Sequence, residues 1–308
     1  MQLERFTVYS KRDQLAISVI RITPEGEVKG VLQILHGMSE YKERYLPFME
    51  YLAGHGYASV IHDHRGHGAS VRDKDDLGYM YENGAESIVE DVKLVNDFAK
   101  ESFPDKPCFL MGHSMGSMVA RAYTKKYDDT INGLIVCGSP SHNKLAPLAA
   151  GLTKIGGMIA GEKKRAKWIN FLMFGKHNKG ITNPASKNSW ICANEATVAA
   201  YDEDELCGFI FTYNGMENLI KLMRMVYTKR GWEVKNPSMP VHFIAGKEDP
   251  CLISEEKFVE AVDHMRAVGY GNVSSLLYPG MRHEILNETN NIRVYDDIVA
   301  RLDLWMDR

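Results

Sequence analysis

Three residues of this 308-residue chain have the types and the setting for nucleophilic acyl chemistry: Ser114, Asp249 and His283. Ser114 lies in Gly112-His113-Ser114-Met115-Gly116, between the apolar run Phe109-Leu110-Met111 and a stretch with helical periodicity from Val119 to Tyr123. G-x-S-x-G in that strand–turn–helix context predicts a nucleophile elbow, a strained turn that lifts the hydroxyl above the sheet. Glycines flank it because a Cβ on either side would meet neighbouring backbone. The helix behind the serine aims its unpaired N–H groups and positive dipole end at the hydroxyl.

A serine hydroxyl attacks only when a base takes its proton and a carboxylate fixes the tautomer of that base. With such an elbow the chain order is serine, acid, histidine, each at a strand end. This sequence keeps the order. Val241–Ala245 leads into Gly246-Lys247-Glu248-Asp249-Pro250, and Val273–Tyr278 leads into Pro279-Gly280-Met281-Arg282-His283. Glu248 is the rival acid, but the strand-end position and the following proline favour Asp249. His242 falls within a strand pattern and His264 within a helical one, so both read as structural. The oxyanion needs two donors, expected from the backbone N–H groups of Met115 and of Met38 in the loop His36-Gly37-Met38. Cys251 is expected beside the acid.

The elements that must hold these residues alternate. Extended stretches at 4–9 and 15–22 form an antiparallel pair around a Lys11–Gln14 turn. Buried strands follow at 30–35, 57–61, 108–111 and 131–137, with helices between them, one of them capped by Ser87. That alternation predicts an α/β fold, a mostly parallel sheet with helices on both faces. It stops from Ser141 to Gly231, where only helical patterns appear, and resumes at Val241. The predicted organisation is therefore a core of residues 1–140 and 232–308, with residues 141–231 inserted as a helical cap over the strand ends where ligands bind in such sheets.

Within the insertion, Leu145–Ala160 is apolar but too short and too rich in glycine to span a bilayer, which takes about 20 apolar residues. Lys163-Lys164-Arg165-Ala166-Lys167-Trp168 follows, then Phe171 to Phe174. Transient contact with an anionic membrane surface is one reading of this run. A solvated basic face on a helix packed onto the core is the plainer one.

Hydrophobic residues make up 44% of the chain and charged residues 25%, the balance of an ordinary globular protein, and a net charge of −3 leaves no footprint for nucleic acid. Five scattered cysteines without a C-x-x-C pair read as reduced thiols. With no apolar leader after Met1, a cytoplasmic location is expected. His62-Asp63-His64-Arg65-Gly66-His67 invites a metal reading, but Gly66 stands where the H-x-H-x-D-H pattern needs an acid, and no second ligand set is evident. No metal and no cofactor is expected.

The combination of Gly-His-Ser-Met-Gly with Asp249 and His283 resembles the α/β-hydrolase fold. His36-Gly37-Met38-Ser39-Glu40 with Arg44-Tyr45, then Asp63-His64-Arg65-Gly66-His67-Gly68, then Arg282-His283-Glu284, are similar more narrowly to the monoacylglycerol lipase/lysophospholipase family. The resemblance implies a serine hydrolase acting on monoacylglycerol-like esters beneath a cap. Lysophospholipase, carboxylesterase and thioesterase activities are alternatives within the class, and a non-catalytic binding protein is one outside it. Met38 departs from the family, where a smaller residue often follows His-Gly, and would narrow the acyl pocket. Glu40 and Arg44, four apart, are candidates to pair and shape the oxyanion loop, or to touch the glycerol end of a substrate.

Overall fold

The computed structural model describes residues 1–143 and 146–306, with the side chain of Pro147 excepted. Leu145, the first residue of the apolar stretch noted in the sequence, lies outside the described residues. Eight strands form one sheet in the order β1-β2-β4-β3-β5-β6-β7-β8. They are β1 (Gln2–Tyr9), β2 (Ala16–Thr23), β3 (Gly30–Leu35), β4 (Tyr57–His62), β5 (Cys108–His113), β6 (Gly133–Cys137), β7 (Val241–Gly246) and β8 (Val273–Tyr278). β1 and β2 pair antiparallel, as do β2 and β4, and every later pairing is parallel. The central strands β3 to β7 are buried throughout, because helices cover both faces and no position can alternate to water.

The helices of the core are α1 (Leu46–Gly54), α2 (Gly84–Ser102), α3 (Met115–Tyr127), α8 (Glu255–Ala267) and α9 (Asn291–Met306). One expectation fails here: Ser87 does not cap α2. The helix begins three residues earlier behind Asn83, which is left-handed at φ 50°, and the Ser87 hydroxyl donates to the Glu82 carbonyl. Periodicity marked the apolar face correctly but not its first turn, where Gly84 and Ala85 give no polar signal.

Between β6 and β7 lie α4 (Ala146–Ala160), α5 (Lys167–Phe174), α6 (Glu195–Glu203) and α7 (Tyr213–Tyr227). α7 packs on α2 and α3, burying Met216, Leu219 and Leu222 in the main core, while α4 rests on α7. Arg121, on α3, sits fully buried between the rings of Tyr227 and Phe243 and reaches Ser139, so it lies beneath both ends of the inserted segment.

The histidine-rich run after β4 is a structural knot. Asp63 takes the Lys42 ammonium at 2.6 Å and the N–H groups of Lys42 and Ala69, while buried Arg65 pairs with Asp91 and Asp13. His36, His62, His64 and His67 cluster behind it, with the rings of His36 and His64 4.4 Å apart and those of His62 and His64 4.9 Å apart. Burial holds all four neutral: His62 is pushed down to about 3 and His67 to about 4, and His36 and His64 fall well below the usual range. Unfolded, each would take a proton near pH 6.5, so acid favours the unfolded chain. The loss is about 2 kcal/mol per such histidine at pH 5. Thermal melts should therefore fall steeply as pH drops from 6.5 to 5, and a melting temperature flat over that range would refute this.

Candidate active site

The C-terminal ends of the parallel strands β3, β5, β6, β7 and β8 share one edge of the sheet, and Ser114 directly follows β5 there. This serine has φ 53° and ψ −118°, a conformation that L-residues avoid, between the end of β5 and the start of α3. Its N–H donates to the Cys137 carbonyl on β6 at 2.9 Å, which clamps the elbow to the neighbouring strand. A Cβ on Gly112 would strike the Gly116 carbonyl, and one on Gly116 would strike the carbonyls of Leu35 and His36. The glycines thus let α3 start directly against the end of β3. The oxyanion loop follows from that contact, and Gly37 packs on the Ser114 Cβ. The N–H groups of Met38 and Met115 are engaged by no described acceptor.

Asp249 and His283 meet at the ends of β7 and β8. His283 Nδ1 lies 2.8 Å from Asp249 Oδ2, with both side chains buried. Asp249 Oδ1 accepts the Cys251 N–H at 2.8 Å, so the carboxylate is fixed by the short turn it caps. Gly246 is what permits the approach: a Cβ there would run into the carbonyls of Met281 and Arg282, so the histidine loop lies flat on the end of β7. Nδ1 thus donates to the acid and Nε2 remains for a proton acceptor's role. The Ser114 hydroxyl is half-buried and makes no hydrogen bond to a described residue, His283 included. His242 bonds Ser274, and His264 bonds the Val226 carbonyl, both away from this edge. The one group of described residues close enough to share an ion is Asp249, Cys251 and His283, not the histidine run after β4. Burial and the Asp249 charge push the Cys251 thiol up, which keeps it protonated.

Glu40 and Arg44 pair at 2.6 Å and are buried. Glu40 Oε1 accepts the Gly37 N–H at 2.5 Å and the Tyr45 hydroxyl at 2.9 Å. Arg44 spreads across Glu284 in a two-pronged pair at 2.8 and 2.7 Å and lies over the Tyr201 ring. Glu284 follows His283 directly, so one guanidinium joins the loop at Gly37–Glu40 to the loop at His283. Burial would raise the Glu40 carboxyl, but Arg44 and His113 hold it below the usual carboxylate range.

His113 is a residue the sequence reading passed over, being the unspecified position of G-x-S-x-G. Its ring faces that of His283 at 4.8 Å, with Nδ1 3.3 Å from Glu40 and Nε2 3.1 Å from the His283 carbonyl. Burial lowers its pKa, but Glu40, Glu284 and that carbonyl outweigh burial and raise it overall, since both ring nitrogens face acceptors. The inserted segment supplies the other missed residues. Trp190 sets its ring 5.1 Å from that of His283, backed by Phe174 and His177. Ser39, at φ 54°, is held by Tyr201, Gly208 and Phe209, and Arg282 donates to the Ser189 and Cys192 carbonyls. None of these has a local signal, since the contacts with His283, Ser39 and Arg282 each span about 90 or more positions of chain.

The model of the family described as serine aminopeptidase, S33, matches residues 26–290. The chain belongs to that α/β-hydrolase family. It is 24% identical over 281 residues to a monoacylglycerol lipase of Mycolicibacterium smegmatis, covering 90% of this chain and 89% of that one. It is 23% identical to a monoglyceride lipase of Saccharomyces cerevisiae, covering 92% and 86%. Among solved structures it superposes on a thermostable carboxyl esterase from Bacillus coagulans in complex with glycerol at a TM-score of 0.90, with 26% identity and 99% of both chains covered. A lipase in an open form gives 0.88 at 24% identity over the full length of both. The fold is that of the α/β-hydrolases. Among the described residues no helix is long and apolar enough to cross a membrane.

Arg44→Met would leave Glu40 and Glu284 buried without the guanidinium that neutralises them. Urea unfolding should show a loss of about 3–5 kcal/mol, the usual cost of breaking a buried pair from one side. A variant within about 1 kcal/mol of the parent would show that the network does not carry this load.

Proposed function

We propose that this chain is a serine hydrolase of carboxylic esters, most specifically monoacylglycerol-type lipid esters, working through Ser114, His283 and Asp249 with residues 141–231 as a cap. The observation that carries the reading is a strained serine at a helix N-terminus, together with a buried histidine on a neighbouring strand-end loop whose Nδ1 is taken by a fixed carboxylate. Rotation of the Ser114 side chain toward Nε2 completes the constellation. His283 then takes the hydroxyl proton as Ser114 Oγ attacks the ester carbonyl, and the N–H groups of Met38 and Met115 hold the oxyanion. The imidazolium gives the proton to the departing alcohol, leaving an acyl-serine. Water, deprotonated by the same histidine, attacks that ester, and collapse releases the acid and free serine.

Glu40 and Arg44 serve here as positioning residues, because their charged groups face each other, Glu284 and His113 rather than a substrate. The same pairing argues for an ester over an N-terminal peptide. A substrate ammonium needs a free carboxylate, whereas Asp249 is taken by His283, and Glu40 and Glu284 by Arg44. The glycerol held by the similar carboxyl esterase and the lipase relatives support a glycerol ester as the natural substrate class. Lysophospholipase and general carboxylesterase or thioesterase activity remain the alternatives within the mechanism.

A fluorophosphonate probe should label the folded protein at Ser114, and Ser114→Ala should abolish both labelling and turnover. Asp249→Asn should lower kcat on the order of 10⁴-fold by presenting the wrong tautomer. A panel of p-nitrophenyl esters of graded chain length, run beside monoacylglycerols, lysophospholipid and an aminoacyl anilide, should give its highest kcat/KM on the monoacylglycerol. An unlabelled Ser114 would end the enzyme reading, and a preference for the anilide would end the ester reading.

A further inference from the structure

The core encloses a cation without a counter-charge. Arg121, in the middle of α3, is fully buried, yet it forms no ion pair among the described residues. Its Nη1 donates to the Ser139 hydroxyl at a long 3.4 Å, while Nε and Nη2 meet no acceptor. Those two nitrogens make up one edge of the guanidinium, where an N–H of each points the same way. That edge is the fork with which arginine grips an anion through two parallel hydrogen bonds. The other fully buried arginine, Arg65, has Asp91 and Asp13 to face.

Aromatic rings and further cations surround the site. The Tyr227 ring covers the guanidinium at 4.6 Å and the Phe243 ring lies at 5.6 Å. Their faces ease a cation but carry no net charge. Tyr227 also touches the chain on both sides of Ser141: its hydroxyl donates to the Pro140 carbonyl at 2.8 Å, and its ring lies 5.1 Å from that of His142. Ser141, between them, has a buried hydroxyl with no hydrogen-bond partner. Lys125, one turn further along α3, donates only to the carbonyls of Met225 and Thr228. His264, its ring 5.5 Å from that of Tyr227, is pushed down to about 4 by burial first and then by Arg121, Lys229 and Lys125.

A guanidinium keeps its charge inside a protein, and burying it without an opposite charge is costly. Water would satisfy the N–H groups but not the charge, so the fitting occupant is an anion. It must also be compact, because every unpartnered atom here is shut off from solvent. That excludes a phosphate and any carboxylate carrying an acyl chain. We propose that the Nε–Nη2 edge of Arg121 and the Ser141 hydroxyl hold a buried halide, chloride in ordinary solution. The ion stands at the joint of the insertion, since Ser139 and Ser141 lead out of β6 and Tyr227 ends α7. The Ser141 N–H donates to the Cys251 carbonyl at 3.0 Å, and the Cys251 N–H holds Asp249, so the ion braces the turn that fixes that carboxylate. The assignment does not depend on the reaction at Ser114.

The test uses the full chain, freed of halide by dialysis into sodium gluconate and titrated with sodium chloride at constant ionic strength. The melting temperature should rise saturably, by about 5 °C once chloride stands a hundredfold above its dissociation constant. Bromide should act likewise, and crystals grown in bromide should show an anomalous peak against the Nε–Nη2 edge. Arg121→Met should remove the response to chloride, and Ser141→Ala should move its midpoint about tenfold higher, the usual worth of a hydrogen bond to a charged group. The bromide map is read on the parent chain, so it decides the matter even where Arg121→Met does not fold. Equal melting in chloride and gluconate, a map with no peak at Arg121, or a chloride response retained by Arg121→Met would each overturn the proposal. So would an unmoved midpoint in Ser141→Ala, or stabilisation by nitrate and formate with no response to any halide.

Discussion

One buried guanidinium holds the site together. Arg44 faces Glu40 on one side and Glu284 on the other, and these carboxylates belong to the two loops that must be registered against Ser114. Glu40 ties down the Gly37 N–H next to Met38, and Glu284 follows His283. Burying three charges is costly, and such a network is no source of stability beyond what packed apolar groups would give. It gives geometry instead: two loops far apart in sequence share one fork of hydrogen bonds with fixed angles. His113 adds a second tie from Glu40 to the His283 carbonyl, so the turn at Ser114, the loop at Gly37 and the loop at His283 are joined to one another.

The sheet supplies the other half of that geometry. Parallel strands bring five chain ends to one edge, but the closeness of those ends depends on where the backbone lacks a Cβ. Gly116 lets α3 begin on the carbonyls that end β3, and Gly246 lets the histidine loop lie on β7. The unfavourable dihedrals of Ser114 persist because its neighbours leave no room for relaxation: its N–H is held by β6, and the helix behind it is buried along most of its length.

The helical insertion faces two ways. Its inner side belongs to the site through Trp190, Tyr201 and Phe209, and α7 is part of the core. On its outer side Leu148, Ile155, Met158 and Ile159 of α4 are exposed. The fold matches a carboxyl esterase and a lipase closely at sequence identities near 25%.

The sequence alone determined the sheet and singled out Ser114, Asp249 and His283 at its strand ends, because both readings rest on local rules. Buried parallel strands read as continuous apolar runs, an elbow needs its two glycines, and strand-end turns announce an acid and a base in order. The bounds of β8 were legible to the residue, whereas the first turn of α2 was not, since Gly84 and Ala85 carry no capping group. The sequence also showed that Glu40 and Arg44 had the spacing to pair. Only the tertiary structure decided what that pair does, because Glu284 lies 240 residues from Arg44 and nothing local connects them. His113, Trp190 and Tyr201 were hidden for the same reason: their partners are set by how loops fold over the strand ends. The outward turn of α4 was equally undetermined, since an apolar helix with small residues on one side packs by that side only once Tyr213 stands beneath it.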